Sequence, residues 1–168
     1  MKKLALLILA SFLLSGSGYA QISTFPWTEG FESGDIPIDW MQVYVSGSDD
    51  WLVFEIEYPH SGTYSALFLG WLSNGGATKL ITPQLDLTGL TNPVLKFWHL
   101  EPSEEYEGPD TLKLYYRNSS TGTWNLLATY ASGILDWTEE VIALPNASND
   151  YYIAFEGGFC LPNRTGCG

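Results

Sequence analysis

The sequence contains few of the residues from which many catalytic and metal sites are built. Its 168 residues include two histidines and two cysteines. His60 and His99 each lie far in sequence from a cysteine, so their spacing does not favour a zinc site. No complete Gly-x-Ser-x-Gly motif indicates a serine nucleophile. The composition therefore argues against a zinc enzyme or a serine hydrolase.

Positive charge is also scarce, since 7 lysines and arginines stand against 19 acidic residues and the formal net charge is -12. A chain this acidic would repel phosphate backbones and anionic bilayers, so we do not expect nucleic acid as a partner. Cations are better candidates for binding to such a chain. The acidity also fits an exported protein whose charge serves mainly to keep it soluble.

Long apolar runs are missing except near the N-terminus. Two lysines, an apolar run over residues 4–14 and small residues at Gly18 and Ala20 are typical of a secretory signal peptide cleaved after Ala20. The run is too short to span a bilayer, and no later segment approaches its length. We therefore predict a signal peptide over residues 1–20, no membrane span, and a secreted or cell-surface location.

Most of the remaining chain has the pattern of short β-strands. In the segment 111–117, Leu112, Leu114 and Tyr116 would share one face of a strand, as in a half-buried antiparallel sheet. The other face would carry Thr111, Lys113, Tyr115 and Arg117. No window favours a helix, and turn residues separate the segments. The pattern predicts an all-β sandwich or barrel of antiparallel strands. The predicted strands cover 39–45, 51–58, 64–70, 94–100, 111–118, 124–130, 137–144 and 151–156.

The order of six sequence blocks resembles a known family. The blocks are FPWTEGFESGDIPIDW, SDDW, HSGTYSALFLG, GGATKLITPQLDLTGLTNPVLKFWH, DTLKLYYR, and an ending that runs from WTEEVIALPN to YYIAFEG. In this order they are similar to the cleaved-adhesin, or choice-of-anchor J, domain of secreted bacterial proteins, which itself resembles MAM domains. The resemblance implies a concanavalin/MAM-like jelly-roll sandwich over residues 21–157, followed by an irregular tail over 158–168.

The same resemblance implies a function. Such domains are non-catalytic adhesion or binding modules, stabilised by calcium, whose partners are host or matrix proteins, glycans, or neighbouring modules of a larger protein. Two departures stand out, because the family's closing Asp-Asp strand is absent after YYIAFEG and the calcium loop is reduced to SGSDDW. The chain is therefore expected to be truncated, with an open sheet edge that favours dimerisation or aggregation.

The acidic segment 29–40, EGFESGDIPIDW, is the first candidate site. A hard cation needs about six to eight oxygens from carboxylates and loop carbonyls, and a turn such as Ser-Gly-Asp supplies both kinds. By the resemblance, Glu32, Asp49 and Asp50 match positions near a structural calcium ion. The alternative is a solvated acidic loop, with the apolar residues of the segment packed on the sandwich.

Aromatic residues suggest a second candidate, because flat rings stack on sugar faces. Trp71, in a Gly-rich loop, and Trp124, after a Thr-Gly turn, are the best placed, which leaves a carbohydrate-binding accessory module as an alternative function. A jelly-roll glycosidase is less favoured. Glu55 and Glu57 match only part of the expected carboxylate pattern, and Pro59 would end the strand before a third carboxylate.

The two cysteines, Cys160 and Cys167, lie close together near the C-terminus of a chain predicted to be exported. A disulfide that closes a small loop is therefore favoured over a redox or metal site. The alternative is a pair of exposed thiols in a frayed terminus.

Overall fold

The computed structural model describes residues 21–70, 76–101, 110–131 and 133–159. The predicted signal peptide, Trp71, and the cysteine pair Cys160 and Cys167 lie outside the described residues. No helix within the described ranges is long and apolar enough to cross a membrane.

The described residues form nine β-strands in three antiparallel sheets. A five-stranded sheet has the order β1-β4-β9-β6-β7, and two-stranded sheets pair β2 with β3 and β5 with β8. This confirms the all-β, antiparallel sandwich predicted from the sequence. The strands are β1 (Met41–Ser46), β2 (Trp51–Glu55), β3 (Tyr64–Phe68), β4 (Ala77–Ile81), β5 (Val94–Glu101), β6 (Asp110–Arg117), β7 (Asn125–Ala131), β8 (Ile134–Ala143) and β9 (Tyr152–Phe159).

Strand β4 is the one that the alternation did not predict. It lies between β1 and β9 inside the five-stranded sheet, and its last four residues, 78–81, are all buried. A strand that is covered on both faces has no apolar-polar alternation, which is the signal that located its neighbours. Strand ends also differ, because β2 ends at Glu55 and β9 continues to Phe159.

The core lies between the inner face of the five-stranded sheet and the two smaller sheets. Leu112, Leu114 and Tyr116 of β6 are buried on this inner face, as predicted, and Leu114 is fully buried. Phe97 of β5 and Phe155 of β9 pack against both main core clusters and join them. Alternation along β6 therefore places Thr111, Lys113, Tyr115 and Arg117 on the opposite face of the sheet.

The acidic segment 29–40 is a series of turns anchored by its apolar residues. Phe31 has a φ of 60°, and its carbonyl accepts a hydrogen bond from the Gly34 amide at 3.0 Å. Phe31, Ile36 and Trp40 pack against the core cluster around Trp51, as the sequence suggested. Ile38 does not, since it is 88% exposed. The segment thus covers one part of the sandwich core.

Candidate binding face

The candidate site is the outer face of the five-stranded sheet, meaning the face turned away from the core. The register places Lys79, Glu156 and Lys113 side by side across β4, β9 and β6. One step along the strands, Ile81, Ala154 and Tyr115 form the next row. The row after that pairs Tyr152 with Arg117. Along β6, charged and aromatic side chains therefore alternate on this face as Lys113, Tyr115 and Arg117.

Three large side chains at one end of the outer face hold each other in place. The guanidinium carbon of Arg117 lies 4.6 Å from the ring centroid of Trp124 and 4.5 Å from that of Tyr152. The ring faces attract the positively charged guanidinium, and the stacking fixes its plane. Ile81, Tyr152 and Ala154 form a buried apolar cluster beside it, with Tyr115, Trp124 and Met41 packed around them.

Lys79 and Glu156 form a buried ion pair in the middle of the outer face. Their side chains are only 10% and 8% exposed, and Lys79 Nζ also lies 4.3 Å from the ring centroid of Tyr115. Burial and the charge of Glu156 raise the pKa of Tyr115, so its hydroxyl stays protonated at neutral pH. A buried pair whose partners satisfy each other is costly to break by removing one of them.

Lys113 contrasts with Lys79, although both neighbour Glu156 in the register. The Glu156 carboxylate pairs with Lys79, and within the described part of the chain Lys113 forms no ion pair. The Lys113 side chain is half-buried. Lys113 and Arg117 lie on the same side of β6, four residues or about 13 Å apart, with Tyr115 between them.

Asp150 is an acidic residue near the Arg117 end of this face. Burial tends to raise the pKa of Asp150, but hydrogen bonds from Ser120 and the nearby charge of Arg117 lower it overall. The Asp150 carboxylate in turn adds to the effect of burial in raising the pKa of Tyr152. At neutral pH the end of the face thus carries a guanidinium, a carboxylate and a protonated phenol.

A second polar group lies inside the sandwich. His99 and Glu101 of β5 are 6% and 8% exposed, and His99 Nδ1 lies 3.1 Å from Glu101 Oε1. Burial raises the pKa of Glu101, although the hydrogen bond and charge of His99 oppose it. Tyr130 packs on the His99 ring with centroids 4.5 Å apart. His99 Nε2 also lies 3.7 Å from Glu140 Oε1, whose side chain is 28% exposed, so the network extends from the core towards the surface.

Another aromatic group lies on the outer side of the β5–β8 sheet. The His60 ring stacks on Trp98 with centroids 3.9 Å apart, and Trp137 Nε1 donates a hydrogen bond to the Tyr58 carbonyl at 3.0 Å. These contacts hold the loop between β2 and β3 against the sheet. His60 covers one face of Trp98, as Arg117 covers one face of Trp124 on the five-stranded sheet.

Glu32 binds protein groups of its own. Its carboxylate accepts hydrogen bonds from the Thr63 amide at 3.1 and 3.2 Å and from the Tyr64 amide at 3.3 Å. It therefore links the acidic segment to the start of β3. Gly62 makes this possible, because it has a φ of 66° and a Cβ there would overlap the Glu32 carboxylate.

Asp49 and Asp50 lie at the other end of the β2–β3 hairpin. The register pairs Trp51 with Phe68 at that end and Glu55 with Tyr64 at the Glu32 end, which separates the two ends by about 13 Å. The structure therefore does not bring Glu32 and Asp49 to one ion. Asp50 accepts a hydrogen bond from the Tyr44 hydroxyl at 2.6 Å.

Of the three predicted metal ligands, Asp49 has the surroundings that best fit a bound cation. It is 5% exposed, and its Oδ2 atom is buried without a hydrogen-bond partner. A Cβ on Gly76 would lie 2.8 Å from both Asp49 Oδ2 and the Ser46 carbonyl oxygen. Two oxygens thus border a space that is kept open by a glycine. Among the described residues, no group of three or more His, Cys, Asp or Glu side chains is arranged to hold a metal ion.

The remaining predicted residues are placed as follows. Trp124 is half-buried and packs on Arg117 instead of standing free in a loop. Glu55 is the last residue of β2 and Glu57 lies beyond it, both exposed, so they do not project side by side from one strand. Sequence reasoning placed Lys113, Tyr115 and Arg117 on the second face of β6 but did not identify them as a site, although their alternation of cation and ring was visible.

Comparison with known proteins gives structural neighbours only. Neither a protein-family model nor a curated protein sequence matches the chain. The K3 cleaved adhesin domain of Lys-gingipain from Porphyromonas gingivalis W83 is similar with a TM-score of 0.60 and 18% identity, over 78% of this chain and 87% of that one. The K1 cleaved adhesin domain of the same protein is similar with a TM-score of 0.55 and 18% identity, over 79% and 96% of the two chains.

A third neighbour comes from a structural study of the promiscuous specificity of carbohydrate-binding modules of the β-sandwich superfamily. Its TM-score is 0.53 at 12% identity, over 78% of this chain and 54% of that one. At such identities the likeness establishes the fold and not the ligand. The chain therefore has the β-sandwich fold that cleaved adhesin domains and carbohydrate-binding modules share.

Proposed function

We propose that this chain is a non-catalytic binding module that presents the outer face of its five-stranded sheet to a ligand. The observation that carries this proposal is the stacking of Arg117 between Trp124 and Tyr152. Aromatic and arginine side chains are the groups that most often dominate binding energy at recognition surfaces. Here the three side chains are fixed by mutual packing, which reduces the conformational entropy that is lost on binding.

The distribution of carboxylates supports a binding role over a catalytic one. A glycosidase of the retaining type needs two carboxyl groups about 5–5.5 Å apart in one cleft. Glu55 and Glu57 are exposed and β2 ends between them. Glu101, whose pKa is raised, faces the core of the sandwich. Neither Glu55 with Glu57 nor the buried Glu101 therefore matches the pair of carboxyl groups that a retaining glycosidase needs.

Two classes of partner, proteins and glycans, fit such a module, and each corresponds to one kind of structural neighbour. The gingipain domains are called adhesins, and the third neighbour is a carbohydrate-binding module. We propose a secreted or cell-surface protein of the choice-of-anchor J type that binds a glycan or a protein. The aromatic outer face favours a glycan, because sugar rings stack on flat side chains while polar neighbours fix their orientation.

The proposed stabilisation by calcium rests on Asp49. Its buried, unpartnered oxygen and the Ser46 carbonyl are hard oxygen ligands of the kind that calcium prefers. Glu32 would not share that ion, since it lies at the opposite end of the β2–β3 hairpin and accepts amide hydrogen bonds there. A bound cation at Asp49 would offset the cost of burying its charge.

Binding to glycan and matrix-protein arrays tests the proposed function. Wild type should bind at least one probe, and Trp124→Ala should lose that signal because the ring that orders Arg117 is gone. Trp98→Ala is the matched control, since Trp98 is a partly exposed indole on the other sheet. Equal loss in both variants, or retained binding in Trp124→Ala, would refute the outer face as the binding site.

A further inference from the structure

We infer that the ligand of the outer face is an anionic polysaccharide whose sugar rings carry carboxylates. This inference rests on the proposed function and adds the chemical class of the ligand. Its starting point is the contrast between the charge of the chain, -12, and the charge of this one face. An acidic protein that binds an acidic polymer needs a local concentration of cations to overcome the general repulsion.

The outer face contains that concentration. The described residues include four lysines and arginines, and three of them, Lys79, Lys113 and Arg117, lie on the outer face. The fourth, Lys96, lies on β5 in the other sheet with a 62% exposed side chain. Three of the four lysines and arginines among the described residues thus lie on one sheet face, together with the carboxylates of Glu156 and Asp150.

Two of these three charges are not neutralised in a buried ion pair. Lys79 is neutralised by Glu156 in such a pair. Lys113 has no ion-pair partner among the described residues, and Arg117 lies against two aromatic rings near Asp150, with a buried Nε that has no hydrogen-bond partner. A neutral sugar would offer both cations only hydroxyl oxygens as hydrogen-bond acceptors. A carboxylate would instead form charge-assisted hydrogen bonds with each of them.

The spacing of the groups suits a chain of acidic sugars. Lys113, Tyr115 and Arg117 follow each other on one side of β6, about 7 Å apart at each step. A polymer that alternates flat rings and carboxylates would place rings on Tyr115 and Trp124 and its charges on Lys113 and Arg117. An acidic peptide fits less well, because peptides commonly bind by adding a strand to a free sheet edge, whereas this is the face of the sheet.

The test uses short oligogalacturonates and their methyl esters as probes, with binding measured by calorimetry in the presence of a chelator. The ester keeps the sugar backbone and removes the negative charge. Wild type should bind the acid at least tenfold more tightly than the ester, and salt near 1 M, where the Debye length is about 3 Å, should weaken that binding. Lys113→Gln and Arg117→Gln should each weaken binding of the acid by about tenfold or more.

Lys96→Gln is the matched control, since it changes the net charge by the same amount on the other sheet, and its affinity should stay within about twofold of wild type. Equal binding of acid and ester would overturn the inference while leaving the glycan-binding function in place. Binding of polyglutamate but of neither oligosaccharide would overturn the inference in favour of an acidic protein partner. Loss of affinity in Lys96→Gln equal to that in Lys113→Gln would show a general charge effect and also overturn it. Failure of every probe on the arrays would refute the proposed function itself.

Discussion

Replacing Glu32 with alanine should loosen the acidic segment from the β2–β3 hairpin. The Glu32 carboxylate accepts hydrogen bonds from the amides of Thr63 and Tyr64, at distances of 3.1 to 3.3 Å. Those amides would then be bound by water. Because Phe31 and Trp40 pack on the core from the same segment, the change also weakens an apolar contact that covers the core.

The size of the effect follows from the number and exposure of these bonds. A hydrogen bond to a charged group contributes about 1.5–3 kcal/mol when shielded from water. Glu32 is exposed and two amides share its carboxylate. We therefore expect a loss of about 1–2 kcal/mol in the free energy of unfolding for both bonds together. In a domain of this length that corresponds to a fall in Tm of about 3–8 °C.

Gly62 provides a coupled second perturbation. It has a φ of 66° and faces the Glu32 carboxylate so closely that a Cβ would overlap it. Gly62→Ala alone should cost the strain of the left-handed backbone, about 1–2 kcal/mol, and in addition displace Glu32. In a Glu32→Ala background only the strain remains. The double variant should therefore be less destabilised than the sum of the single variants, by about 1 kcal/mol.

Urea unfolding of the four proteins of this cycle, each in the presence of chelator, measures the coupling. Chelator removes any contribution from calcium, so that only the contacts between Glu32 and the amides are compared. A loss below about 0.3 kcal/mol for Glu32→Ala, or strict additivity of the two changes, would refute the assignment of Glu32 as the link to the hairpin.

Three further predictions follow from the packing and the charges. Gly157→Ala should cost about 1–3 kcal/mol in urea unfolding, because a Cβ there would overlap the Cβ and ring atoms of Phe68. Burial and the charge of Glu140 raise the pKa of Tyr130 to about 12. Because tyrosine in the unfolded chain titrates near pH 10, the free energy of unfolding should fall between about pH 10 and 12, and it should fall less steeply in Tyr130→Phe. Calcium at about a hundred times its Kd should stabilise wild type by about 2.7 kcal/mol, and calorimetry should show this gain in Glu32→Gln but not in Asp49→Asn.

The strands that the sequence predicted well are those with one buried and one open face. Leu112, Leu114 and Tyr116 alternate with polar residues, and the structure buries all three. Strand β4 escaped prediction because its central position buries consecutive residues and removes the alternation. The strand order was also beyond reach, because neighbours such as β4 and β9 are brought together by contacts far apart in sequence.

The candidate site was only partly predictable for a related reason. The sequence pointed to Trp124 but not to the second face of β6, because each residue type on that face is common on solvated strands. The site becomes visible only when the register aligns Arg117 with Tyr152 and places Lys113 beside Glu156 across β6 and β9. The separation of Glu32 from Asp49 likewise follows from the pairing of β2 with β3, which the resemblance alone did not supply.

The central claim is that the outer face of the five-stranded sheet binds the ligand, and side-chain NMR tests it most directly. The chain has only two arginines, Arg117 and Arg164, so the Nε–H signal of Arg117 is assigned by comparison with Arg117→Gln. On titration with a short oligogalacturonate, the Arg117 Nε–H and Trp124 indole N–H signals should shift in proportion to occupancy, while the Trp98 indole signal stays in place. Saturable binding that shifts Trp98 and leaves Arg117 and Trp124 unmoved would contradict the account.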